Sequence, residues 1–316
     1  MTFFKWNIAA MLIGLLLDLC IGDPEGWPHP VIWIGNFISS REKKLRMRSR
    51  NLRRSAVWLT ASTVLLSMAA TAAVLFVLYL IDEIVLLIGM GLISWTCISA
   101  KCLAKEGRGV AQALELSLER ARKQVGRIVG RDTNELDEDE IIRATVETVA
   151  ENTTDGVIAP MLYLILGGPV LAMGFKAAST LDSMVGYLDE KYRDIGWSSA
   201  KLDDILNYIP ARLTGLTMCL VAPLCGLDGR NALRVMKRDH ANHLSPNCAW
   251  SEAAAAGALH VQLGGTHTYF GKRVEKPTIG DDDRPVVAKD ILRANRLLYA
   301  TACLLALVAA ILEVIL

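Results

Sequence analysis

The chain has 316 residues, 52% of them hydrophobic, with a formal net charge of +1 and a mean hydropathy of +0.33. The near-balanced charge argues against a nucleic-acid binder, which carries a strong basic excess. The seven cysteines form no Cys-x-x-Cys pair, so neither a zinc site nor a disulfide framework is signalled.

Arrangement decides the class, because the apolar residues come in blocks and a membrane-spanning helix needs about 20 of them. Residues 6–22 form the first block, interrupted by Asp18. With neither a basic n-region nor an Ala-x-Ala site, this block reads as a retained helix rather than a cleaved signal. It ends at Gly22-Asp23-Pro24 and the loop Trp27-Pro28-His29-Pro30. Segment 41–54 then sets Arg41, Lys43, Lys44, Arg46, Arg48, Arg50, Arg53 and Arg54 against Glu42 alone. The run reads as a cytoplasmic topology anchor by the positive-inside rule, a simpler explanation than nucleic-acid binding. Residues 56–81 and 84–100 are parted only by Asp82 and Glu83, which predicts a helical hairpin.

Segment 101–155 has soluble character. Leu114, Leu118, Ala121, Val125 and Ile128 recur at helical spacing and predict an amphipathic helix over 110–129. The acidic run 132–140 leads into a helix over 138–151, whose first-turn acids suit the helix dipole. Asp155-Gly156 reads as a turn. Residues 157–175 are apolar but broken by Gly167-Gly168-Pro169, and the polar stretch 176–204 follows. There Ser198 or Ser199 is expected to cap a helix. Segment 205–227 is apolar apart from Pro210 and Arg212, 228–296 is polar again, and 297–316 closes the chain as a clean span charged only at Glu313. These elements predict an all-α, polytopic membrane protein with about five to seven membrane segments, some broken or re-entrant. They read as a single membrane domain over 1–316 with polar, cytoplasm-facing insertions at 101–156 and 228–296.

Ionisable side chains inside apolar segments are costly and mark function by default. Glu147 and Glu151 share a helix face and lead into Asn152 and Asp155. Lys176 and Asp182 flank a glycine-relieved apolar helix, with Arg193 beyond it. Asp203 and Asn207 lie one turn apart, and Asp204, Tyr208 and Arg212 follow a second face at i, i+4 and i+8. Pro210 frees the carbonyl of residue 206. Paired acids with Asn suit oxygen-ligated Mg²⁺, and Lys and Arg suit phosphates, so a magnesium–phosphate site is expected. No P-loop and no His-Glu-x-x-His motif is present. His240 with His243 could ligate a metal, although solvated histidines are the simpler reading, and the run Asp281-Asp282-Asp283 reads as a solvated loop.

Six ordered motifs then carry a resemblance. They are Gly22-Asp23-Pro24…His29-Pro30-Val31, Ala150-Glu-Asn-Thr-Thr-Asp-Gly156, Thr180-Leu-Asp-Ser-Met-Val-Gly-Tyr187, Leu202-Asp-Asp…Ile209-Pro-Ala-Arg212, Ser245-Pro-Asn247 and Leu263-Gly-Gly265…Tyr269-Phe-Gly271. Together they resemble the adenosylcobinamide-phosphate synthases, the CobD/CbiB family, over almost the whole chain. Departures are small: Ser179, the pair Cys248-Ala249 and Phe175 replace commoner residues, and none removes an ionisable group. The resemblance implies an inner-membrane enzyme, active on its cytoplasmic face. It would join a propionate carboxyl of adenosylcobyric acid to (R)-1-amino-2-propanol or its O-phosphate, with ATP and Mg²⁺ and no tightly bound cofactor. Complexes with other late cobalamin-pathway membrane enzymes are a further implication.

On that reading Asp182, Asp203 and Asp204 are assigned to metal and Lys176, Arg193 and Arg212 to phosphate or carboxylate. Glu151 or Asp155 is the base, and Asn152, Asn207 and Asn247 orient substrate. The competing readings are a membrane transporter, which broken helices with intramembrane charges would suit, and a scaffold for pathway enzymes. Sidedness poses a conflict. If 157–175 crosses the bilayer once, 176–204 lies opposite 101–155 and away from cytoplasmic ATP. The chain is therefore expected to turn back at Gly167-Gly168-Pro169, or to dip into a cavity open to the cytoplasm.

Overall fold

The structure is a computed structural model that describes residues 3–24, 26–49, 51–187, 189–269 and 272–315. Arg50 of the basic run and Phe270-Gly271 of the last motif lie outside the described residues. Among the described residues, helices dominate and six are long and apolar enough to cross a membrane. The protein is an all-α polytopic membrane protein.

Helix α1 (Phe3–Ile21) is followed by α2 (Pro30–Arg48), which Pro30 opens from inside its first turn. The hairpin is α3 (Leu52–Ile81) and α4 (Glu83–Cys97). Asp82 serves both helices: its backbone N–H closes α3 on the Leu78 carbonyl and its side chain accepts from the Ile84 N–H to start α4. Instead of one amphipathic helix over 110–129 there are two, α5 (Ala100–Leu116) and α6 (Leu118–Val125). Ser117 is extended between them and caps α6 through the Arg120 N–H, the alternative bonding that makes serine a cap rather than a helix-interior residue. Helix α7 (Glu138–Thr153) starts at a capping box formed by Asp137 and Glu140.

The Asp155-Gly156 turn does not form. Thr154–Ile158 is a π-helical turn, and the chain passes through it into α8 (Ala159–Val185). At Gly167 and Gly168 the backbone leaves helical geometry, Gly168 taking φ 65° and ψ −163°. Tyr163 and Phe175 stack with ring centroids 5.0 Å apart. Twelve residues of straight helix would separate them by about 18 Å, so the chain doubles back here, as the conflict over sidedness demands.

Helix α9 (Trp197–Leu206) follows, then α10 (Tyr208–Val221), α11 (Gly229–Asp239), α12 (Cys248–Leu259) and α13 (Ala288–Ile315). Neither Ser198 nor Ser199 caps α9: the N-cap is Gly196 and the Ser199 hydroxyl donates back to the Gly196 carbonyl. Between α12 and α13, β1 (Leu263–Gly264) pairs antiparallel with β4 (Thr278–Ile279), and β2 (His267–Tyr269) with β3 (Lys272–Val274).

The chain forms two compact units. The first comprises Met1–Ser99, Ala159–Asn207 and Val308–Leu316. In it α1 packs on α4 and α8, and α3 packs on α8, around Ile8, Met11, Leu59, Met161, Leu164 and Phe175. A Cβ on Gly14 would lie 2.6 Å from that of Ser94, so α1 and α4 meet nearly backbone to backbone, as small residues allow in membranes. The segment after α8 is held by the basic run: Arg46 donates to the Lys191 carbonyl at 2.7 Å and Arg53 pairs with Asp194 at 3.4 Å. The two polar stretches thus share one end of this unit.

The second unit comprises Ala100–Ile158 and Tyr208–Leu307. It takes both polar regions together with α10 and most of α13. Helix α12 lies at its centre against α11, α10 and α7, with Ala249 and Ala253–Ala256 buried.

Candidate functional site

In the second unit a hollow of about 120 Å³ is lined by Glu147, Glu151, Asn152, Glu252, His243 and Lys276, among others. Glu147 and Glu151 project from one face of α7, four residues apart, and α12 supplies Glu252. Three carboxylates in so small a space cannot all ionise without compensation. Glu147 is compensated: it is ion-paired with Arg131, whose side chain is largely covered, and accepts the Gly264 N–H at 2.7 Å. Glu151 accepts the Cys248 thiol at 3.0 Å. Glu252 is 4% exposed. Burial, and after it the charges of Glu151 and Glu147, push its carboxyl well above the ordinary range. Burial also pushes up the thiol of Cys248, with Glu151 adding to the effect.

Facing the acids, the Lys276 ammonium lies 3.4 Å from His243 Nε2. His243 Nδ1 accepts the Ser245 N–H at 3.0 Å, which leaves the proton of a neutral ring on Nε2. Burial and then Lys276 hold this ring below the usual histidine value, so it stays neutral at pH 7. Lysine and histidine therefore confront each other as two donor groups at one side of the hollow.

Asn152 bonds the Thr148 carbonyl through its amide at 2.9 Å. Asp155 lies in the π turn, a deformation frequent at functional sites, and acts electrostatically on Cys248. Elsewhere in the second unit Arg212 reaches Asn247 Oδ1 at 3.5 Å and lies over the rings of Tyr208 and Trp250. The expected ladder from Asp204 through Tyr208 to Arg212 is interrupted, because α9 ends at Leu206 and α10 begins at Tyr208. His240 stacks on Trp250 and bonds backbone carbonyls, so it does not join His243. Asp281 is no mere solvated loop acid: it pairs with Arg234 and Arg238.

The remaining expected residues belong to the first unit. Lys176 is half-buried, close enough to act electrostatically on both Asp23 and His29. His29 Nε2 is 3.9 Å from Asp23 Oδ1, while its Nδ1 accepts the Val31 N–H and caps α2. Burial raises the Asp23 carboxyl and lowers the His29 imidazole. Asp203 accepts the Asn207 amide at 3.0 Å, and the Leu206 carbonyl, denied a helical donor by Pro210, accepts the Tyr163 hydroxyl at 2.8 Å. Asp204 turns instead to Lys201 at 3.3 Å. Asp182 lies near the end of α8, where its charge acts on Tyr187. Arg193 is exposed.

Asp182, Asp203 and Asp204 do not gather as three metal ligands. Among the described residues no group of three His, Cys, Asp or Glu side chains is clustered for a metal. Consecutive residues on α9 point about 100° apart, which sends Asp203 to Asn207 and Asp204 to Lys201. One or two carboxylates are nevertheless what Mg²⁺ carried on nucleotide phosphates asks of a protein, and the Asp203–Asn207 oxygens fit that smaller role.

Glu252, Lys276, Asp23 and His29 were missed as individual residues. Glu252 is a lone acid in the alanine-rich run 249–259, a costly placement that should have flagged it. Asp23 and His29 stand in the first motif.

Comparison with known proteins places the chain in a family. A family model described as CobD/Cbib protein matches residues 11–298. The chain is 50% identical to "Cobalamin biosynthesis protein CobD" of Geobacter metallireducens, over 98% of this chain and 97% of the relative. It is 49% identical to the CobD protein of Streptococcus sanguinis, over 93% and 94%. With "Cobalamin biosynthesis protein CbiB" of Salmonella arizonae it shares 45% identity over 94% and 95%. No solved structure matches. The chain belongs to the CobD/CbiB family of cobalamin biosynthesis proteins.

Proposed function

We propose that this chain is an ATP-dependent acid–amine ligase that joins a propionate carboxyl of adenosylcobyric acid to (R)-1-amino-2-propanol or its O-phosphate. The observation that carries the reading is the hollow between α7 and α12, with acids on one wall and a paired Lys276 and His243 on the other. Such a hollow suits a small molecule with an ammonium at one end and an acceptor group at the other. The protein is placed in the inner membrane with this hollow on the cytoplasmic side, where ATP is available.

A carboxylate does not condense with an amine at neutral pH, because its oxygen is a poor leaving group. ATP first transfers its γ-phosphoryl group to the propionate oxygen, releasing ADP. The amine then attacks the acyl carbon, the amide bond forms, and the C–O bond to phosphate breaks. The amine arrives as an ammonium and must lose a proton before attack and another after it. Glu151 is the proposed acceptor, since Arg131 already engages Glu147 and burial keeps Glu252 neutral. Asp155 is the alternative base.

Mg²⁺, when bound, neutralises phosphate charge. Asp203 with Asn207 is the proposed holder, with Asp182 or Asp204 as a second ligand. Lys176, Arg193 and Arg212 are proposed to bind phosphate or carboxylate oxygens, and Asn152 and Asn247 to orient substrate.

The test is mass-spectrometric detection of product from purified protein in detergent with adenosylcobyric acid, ATP, Mg²⁺ and aminopropanol, with and without its phosphate. Glu151→Gln should lower turnover by at least about 100-fold, the lower range of general-base effects. Folded protein that binds the corrinoid yet forms no product with either amine would sink the ligase reading and favour transport.

A further inference from the structure

The second unit contains another, larger hollow that the ligase reading does not use. It is a wide-open hollow of about 610 Å³, and its lining includes Arg230, Arg284, Arg293, Asp228 and His260. Its position is set by two membrane helices. Pro223 and Gly226 stand where the apolar segment Tyr208–Cys225 ends, and Arg293 stands in the first turns of Ala288–Ile315. Beside it Leu220 is 71% and Leu224 85% exposed. That exposure suits acyl chains and leaves the hollow level with the headgroups.

The charge of the hollow follows from its ion pairs. Asp290, fully buried, receives Arg284 through two bonds at 2.8 Å and Arg293 through a third at 2.7 Å. Two guanidinium groups thus share one carboxylate. Adding exposed Arg230 and counting Asp228 and Asp283 leaves three positive charges against three negative, so an anion is drawn by the placement of Arg230 and Arg293 rather than by a net charge. Asp228 is itself occupied, capping α11 through the Asn231 N–H and meeting His260 Nε2 at 3.2 Å.

His260 adds a second observation. It is the single non-glycine residue with positive φ, at 54°, among the described residues. Strain of this kind persists where surrounding structure enforces it. Here the ring bridges Asp228 and Asp283, at 3.2 and 3.1 Å, and so ties together two of the loops around the hollow. The wall is fixed, and among the described residues the Arg293 guanidinium donates one bond, to Asp290.

We infer that this hollow binds the phosphate of an anionic phospholipid at the membrane surface, with Arg230 and Arg293 as its principal donors and Leu220 and Leu224 against the acyl chains. Guanidinium groups match phosphate oxygens in fork geometry, and basic pockets between membrane helices hold anionic headgroups. Arg284, spent on Asp290 and the Leu259 carbonyl, is the structural member.

The test uses the full chain purified in detergent and native mass spectrometry with phosphatidylglycerol or phosphatidylcholine. Wild type should retain phosphatidylglycerol preferentially. The double variant Arg230→Gln/Arg293→Gln leaves Asp290 paired with Arg284 and should weaken that retention roughly 25-fold, about fivefold for each cation. Lys43→Gln/Lys44→Gln, in the separate basic run, should leave the tightly held lipid in place. Equal retention by wild type and the double variant would overturn the inference, as would loss of that lipid in the lysine variant. Displacement of the lipid by about 10 mM inorganic phosphate would reassign the hollow to a free anion and overturn the lipid assignment. Should the double variant melt at a lower temperature than wild type, Arg230→Glu alone, at an exposed position, carries the same expectation.

Discussion

Glu252 illustrates how one residue can be costly and useful together. A carboxyl with two acidic neighbours and almost no solvent is favoured in its protonated form. The fold raises its pKa above the ordinary 4.5. Its contribution is therefore complete below that value and is lost as pH rises toward the folded-state value. Glu252→Gln mimics the protonated form and cannot titrate. Thermal unfolding of detergent-solubilised protein, compared at about pH 5 and about pH 8, should move in favour of the glutamine variant at the higher pH. The gain is up to about 1.4 kcal/mol per pH unit crossed. A constant offset between the two proteins at both pH values would mean that Glu252 does not titrate as a buried acid. The position was visible as a lone acid in an alanine run. Its partners were not, because Glu151 and Glu252 are brought together by helix packing that no local spacing encodes.

At the scale of elements, boundaries with local chemistry were readable and those decided by tertiary packing were not. Asp82, the acidic first turn of α7 and the break at Gly167-Gly168-Pro169 all act within a few residues, and each forms as the residue types dictate. The π turn at Thr154–Ile158 defeats the turn reading of Asp155-Gly156 because α7 and α8 extend the helical hydrogen bonding from both sides. Gly168 is the element-scale residue to test. Its φ and ψ lie in a region essentially reserved for glycine, and a Cβ there would stand 2.6 Å from Asn7 Oδ1. Asn7 is itself buried and reaches the Ile165 carbonyl. Gly168→Ala should destabilise the protein by about 1–3 kcal/mol, read as a lowered melting temperature. Gly35→Ala, inside α2 with nothing closer than 3.5 Å, should be neutral or stabilising by up to about 1 kcal/mol. Equal effects of the two substitutions would deny the reversal its special backbone.

At the scale of the molecule, sidedness decides whether the ligase reading is coherent. The hydropathy pattern yields the number of apolar segments but not their course, since 157–175 reads as one apolar stretch and yet breaks at Gly167 and Gly168, bringing Tyr163 onto Phe175. The contacts of Arg46 with Lys191 and of Arg53 with Asp194 attach segment 189–194 to the basic run. These are solvent-screened contacts of modest strength singly. Their value lies in address: whichever face of the membrane holds the basic run also holds this segment. The positive-inside rule predicts that this face is cytoplasmic. Cysteine introduced at exposed Glu190 should therefore react with a membrane-impermeant maleimide in inverted vesicles and resist it in intact cells, in parallel with cysteine at exposed Lys44 in the same unit. If the two positions label from opposite sides, the reversal at Gly167-Gly168-Pro169 does not return the chain to its starting face. Lys176 and Asp203 would then serve some reaction other than one fed by cytoplasmic ATP.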